Sequence, residues 1–145
     1  MLNPEERALK GLLQFWSMLF LAMGIVVVFF PNLVIQFLNR VSLRFTPTLP
    51  LLPYSDERLW VVLAFSLFIT LTFICYSAQD DLKRRRDLVQ FLLVSKLISA
   101  IVFVLCLFFD RMSLAYLIAA IIDGGIFTLT SAYYSRVLKS SHLVL

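Results

Sequence analysis

The sequence predicts an all-α fold: an integral membrane four-helix transmembrane bundle, one domain spanning residues 1–145. Three observations predict it. First, the chain is 61% hydrophobic and only 15% charged, against about 25% charged in soluble domains. A soluble domain of this size could not hide so much apolar surface. Second, four runs approach the roughly 20 apolar residues that a bilayer requires. They are residues 11–30, 59–77, 88–109 and 112–134. Third, the charged residues gather between those runs, and only Lys96 and Asp123 fall inside them.

The first run is prepared by Asn3-Pro4-Glu5-Glu6. Asn3 can cap a helix, Pro4 suits its first position, and the acids sit at the positive end of its dipole. A cleaved signal peptide is disfavoured. The apolar run is too long, two glutamates precede it, and no small-x-small site follows. Pro31 interrupts the run. From Leu33 to Phe45, Gln36, Asn39, Arg40 and Arg44 recur at helical spacing against Leu33, Ile35, Phe37, Leu38 and Val41. Two readings stay open there: an amphipathic helix in the membrane interface, or a polar-flanked continuation of the first span. Thr46 to Pro53 contains three prolines and reads as an extended connector.

Ser55-Asp56-Glu57 reads as the start of the second span. Asp80 or Asp81 can cap the helix of the third, whose first turns carry Lys83, Arg84, Arg85 and Arg86. Asp110-Arg111 is the whole polar content of the next connection, so the third and fourth spans form an antiparallel hairpin. Arg136, Lys139 and His142 read as a short polar tail. Counting Lys and Arg places eight on the side of the termini and four on the other. By the positive-inside rule both termini are cytoplasmic in a multi-pass protein of the inner membrane.

Lys96 and Asp123 are the candidate site. A lone charge at mid-bilayer costs roughly 3 kcal/mol on insertion scales, so it needs a partner or a task. Lys96 lies eight residues inside its span, roughly 12 Å deep, and Asp123 eleven residues from the same face, roughly 16–17 Å deep. The lysine stem can span the difference, and an ion pair is geometrically natural. It reads as a structural device fixing helix register, as a snorkelling lysine, or as a functional site. Tyr116, Asp123 and Thr130 repeat every seven residues. Ala120, Gly124 and Thr128 are spaced by four, the small-residue pattern of close helix packing, and Gly125 thins the wall beside the carboxylate. Ser95 and Ser99 flank Lys96. Gln14, Ser17 and Gly24 on the first span, and Ser66 and Thr70 on the second, offer further small or polar faces. Lys83, Arg84, Arg85 and Arg86 read either as topogenic charges or as a surface for anionic lipid headgroups.

Other chemistry is disfavoured by what the sequence lacks. There is one histidine, no CxxC pair and no glycine-rich phosphate loop. Cys75 and Cys106 fall near opposite faces, too far apart for a disulfide. The sequence therefore indicates no catalytic residues, metal or cofactor, and the interrupted basic run argues against nucleic acid as a partner.

In layout and length the chain resembles small four-helix proteins of bacterial inner membranes, DoxX-like proteins among them. The resemblance rests on Phe30-Pro31-Asn32-Leu33-Val34, the arginine-rich start of the third span, Ser95-Lys96 and Asp123-Gly124. It implies the bundle and its location and brings no activity. The leading expectation is a non-catalytic accessory or interaction subunit, docking to another membrane protein or to itself among membrane lipids. The alternative is a binder or transporter of a lipophilic or protonated small molecule, with Lys96 and Asp123 lining the site. An enzyme comes third.

Overall fold

A computed structural model describes residues 3–54, 58–82, 84–110 and 112–142. Those residues form five α-helices and no strand. Helix α1 spans Pro4–Phe29. Its first turn closes as the backbone N–H of Asn3 donates to Glu6 Oε2 at 3.1 Å. It stops at Phe30, whose backbone (φ −137°, ψ 63°) is no longer helical. The cause is Pro31, which disfavours the α conformation in the residue before it. A separate helix α2, Pro31–Phe45, then begins with the proline in its first turn. Residues 33–45 are therefore not a continuation of the first span.

The amphipathic pattern of α2 misled at one position. Asn39 grouped with the solvent-facing polar residues, yet it is buried. Its side-chain amide donates to Leu52 O at 2.9 Å and accepts from Leu52 N at 2.9 Å. One side chain thus satisfies two backbone groups of the proline-rich connector and ties it onto α2.

Helix α3 spans Arg58–Asp80; the expected helix start at Ser55–Glu57 lies outside the described residues. Helix α4 spans Arg86–Phe109 and helix α5 spans Leu114–His142. The expected aspartate cap on α4 needs correction. Asp80 ends α3, and Asp81 Oδ1 accepts from Arg84 N at 3.0 Å, closing the intervening turn. Arg85 holds the N-cap position of α4 without a side-chain cap bond. The expected polar tail is corrected too. Arg136, Lys139 and His142 lie on the last turns of α5. No Pro or Gly follows Tyr134 to end the helix, and Val137 packs into the core.

Helices α1, α3, α4 and α5 are each long and apolar enough to cross a membrane, the mark of a multi-pass membrane protein. They close a ring in which α1 packs along α3, α3 along α4, α4 along α5, and α5 along α1. The tightest seams are α1–α3 and α4–α5. Within α1–α3 the helices approach closely at Gly24, where a Cβ would lie 3.2 Å from Phe68 Cβ, a tight contact.

The core occupies one end of the bundle. Leu9, Leu13, Trp16 and Phe20 of α1 meet Leu71, Cys75 and Ala78 of α3, Val89 and Leu92 of α4, and Ile126, Tyr134 and Val137 of α5. All lie in the half next to the chain termini and the α3–α4 turn, here called the basic end. At the opposite connector end no residue of α4 beyond Lys96 is buried. There α2 packs across α1 and α5.

Candidate functional site

Lys96 and Asp123 meet where the tight core gives way to the open half. They are 7% and 8% exposed, and Lys96 Nζ donates to Asp123 Oδ1 at 2.9 Å. Ser99, one turn beyond Lys96 on α4, donates its hydroxyl to Asp123 Oδ2. The Lys96 ammonium also lies 4.9 Å from the centroid of the Phe20 ring on α1, within cation–π range. Both carboxylate oxygens are therefore engaged, and the cation is held from two sides.

The seven-residue stripe of α5 has a geometric meaning. Asp123 faces α4, while Thr130 is fully buried and accepts from the Trp16 indole N–H at 3.1 Å across the α1–α5 seam. Tyr116, half-buried, donates its hydroxyl to Asp110 Oδ2 at 3.0 Å and stacks near Phe103. Sequence reasoning missed Trp16 and Phe20 as partners. Trp16 was findable, because a buried indole N–H needs an acceptor and Thr130 lies at a similar depth. Phe20 was not, being one of fourteen phenylalanines.

The four-residue stripe behaves differently from the expectation of close helix packing. No atom lies within 4 Å of a Cβ built on Gly124 or Gly125. Thr128 is exposed and donates its hydroxyl to Gly124 O at 2.6 Å, within its own helix. The reason is rotation: Gly124 and Thr128 lie roughly 100° and 140° around α5 from inward-facing Asp123. Ala120 lies nearer the inner face and is buried. Among the other polar faces, Ser17 donates to Thr72 O at 3.3 Å on the α1–α3 seam. Gln14, Ser66 and Thr70 are exposed instead, and the two hydroxyls bond carbonyls of their own helix.

Beyond Asp123, toward the connector end, lies a half-open cavity of about 480 Å³. Met23 and Val26 of α1, Leu33, Val34, Phe37 and Leu38 of α2, Phe103 of α4, and Ile118, Ala119 and Ile122 of α5 surround it. Asp123 completes the wall and is its one ionisable residue. This volume is within the roughly 300–1,000 Å³ of small-molecule sites. The basic run lies at the far end of the bundle. There Arg85 donates to Ser77 O at 3.0 Å and sits 3.8 Å from Asp80. Arg84 is exposed and Arg86 half-buried; Lys83 lies outside the described residues.

No protein-family model, curated protein or solved structure matches this chain. A neutralised pair at the foot of an apolar cavity is suited to holding a hydrocarbon group. Among the described residues no cluster of three His, Cys, Asp or Glu could hold a metal.

Proposed function

We propose that this protein is a non-catalytic binder of one lipophilic molecule in the inner membrane, with Lys96 and Asp123 closing the deep end of its site. The observation that carries this reading is the cavity of about 480 Å³ that ends on Asp123. Here α2 packs across α1 and α5 and walls one side of this apolar, half-open space, leaving room beside Asp123 for one hydrocarbon group. The charge asymmetry supports cytoplasmic termini, so the chamber belongs to the outer half of the membrane. Arg84 and Arg86 then lie on the cytoplasmic side, where anionic headgroups are found.

A second reading, an interaction subunit, draws on the open face at Gly124 and Thr128. A hollow of about 240 Å³ beside it is lined by Ala100, Ile101, Val104, Leu105 and Ala120.

Native mass spectrometry of the gently extracted protein tests both. The first reading expects one lipophilic adduct per chain. It also expects Ala119→Trp, which fills the cavity, to lose that adduct while unfolding within a few degrees of wild type. A bare wild-type chain, or an adduct retained by Ala119→Trp, would sink that reading. A stoichiometric protein partner in place of the adduct would establish the second.

A further inference from the structure

We propose that the occupant is an anionic lipid, with an acyl chain in the cavity and its phosphate or carboxylate head at Arg40 and Arg44 of α2. This rests on the reading that the cavity holds a lipophile. Two observations select the class.

The first is the neutrality of the wall. Asp123 Oδ1 accepts from Lys96 and Oδ2 from Ser99, and every other residue around the cavity is apolar. The chamber offers no unpaired carboxylate to a protonated amine. It therefore suits hydrocarbon, and any charge on the ligand must sit outside.

The second is the order of residues along one face of α2. Leu33, Phe37, Arg40 and Arg44 follow at spacings of four, three and four, which keeps them on one stripe of a helix. Leu33 and Phe37 line the cavity yet remain 50% and 63% exposed, so they stand at its mouth. Arg40 and Arg44 continue the stripe beyond it and are exposed. Among the described residues neither has a carboxylate partner. The stripe therefore runs from apolar to cationic over roughly 16 Å. A lipid presents the complementary sequence, from chain to anionic head. The opposite side of α2 is anchored by buried Asn39 and Ser42, which keeps the arginines turned outward.

The test is a titration of the full chain in neutral detergent, read by native mass spectrometry, with matched charged and neutral probes. Dioleoyl phosphatidylglycerol is compared with diolein, and palmitate with hexadecanol. The proposal expects an anionic member to bind more tightly than its neutral counterpart, by about fivefold for each arginine engaged. The pair with the larger advantage identifies the head as phosphate or carboxylate. Arg40→Gln with Arg44→Gln should erase that advantage, leave binding of diolein and hexadecanol intact, and preserve the melting curve of these exposed sites. Equal affinity for charged and neutral probes would overturn the anionic assignment alone, as would an advantage that survives the double substitution. Failure of all four probes to bind would overturn the cavity reading with it.

Discussion

At the residue scale, the molecule turns on how two intramembrane charges are satisfied. Lys96 has Asp123 and the Phe20 ring; Asp123 has Lys96 and Ser99. Removing one member leaves the other buried without its counter-charge, which costs about 3 kcal/mol or more. Lys96→Met and Asp123→Asn should therefore each destabilise the protein by about that amount in reversible unfolding from mixed micelles. The combined variant should recover most of the loss, because the two effects are coupled through one contact. Additive losses would show that the charges act separately. The pair was legible in the sequence because each charge is alone in its span and the depths agree. Ser99 was visible as a neighbour, one turn along the same helix. Phe20 was not, since cation–π contact depends on where a ring sits across a helix seam.

At the scale of elements, α2 and the connector matter most. The Phe30–Pro31 break was readable from backbone sterics, but the role of Asn39 was not. Amphipathic periodicity assigns polar residues to water, whereas a polar side chain can also be buried when backbone groups satisfy it. Asn39 does this with both atoms of its amide, at 2.9 Å each, against Leu52. Asn39→Leu would leave the Leu52 N–H and carbonyl without those partners, at a cost of about 1–3 kcal/mol. Hydrogen exchange should then quicken in α2 and residues 46–53 while the core of α1 and α3 keeps its protection. Unchanged exchange in α2 would mean that its seating depends on the apolar contacts alone.

At the scale of the whole molecule, the bundle is tight at one end and open at the other. Leu9 to Phe20, Leu71 to Ala78 and Ile126 to Val137 supply the buried residues of one half. The connector-end half keeps large side chains such as Trp60, Phe108 and Phe109 exposed on its outside. With four helices long enough to cross a membrane, both ends of the described chain lie at the same end of the bundle, and the eight-to-four distribution of basic residues is the basis for proposing that this end faces the cytoplasm. In a variant with Cys75 and Cys106 changed to Ala, a membrane-impermeant thiol reagent added outside should label Thr48→Cys and spare Lys139→Cys. The reverse pattern would invert the topology and place the cavity in the cytoplasmic half.

The sequence by itself determined the number of spans and the antiparallel hairpin of α4 and α5, and it put Lys96 and Asp123 at depths where a pair is geometrically natural. These depend on local hydropathy, helical rise and the cost of charge in lipid, all of which are one-dimensional quantities. Tertiary structure alone decided which faces close on one another. Gly124 and Thr128 share the spacing of a packing motif yet turn outward, because Asp123 and Thr130 claim the inner face of α5. It also decided that a cavity exists. The cavity forms where α1, α2, α4 and α5 fail to converge, and Leu33, Ala119 and Phe103 reveal nothing of that singly, because each would be equally at home against lipid.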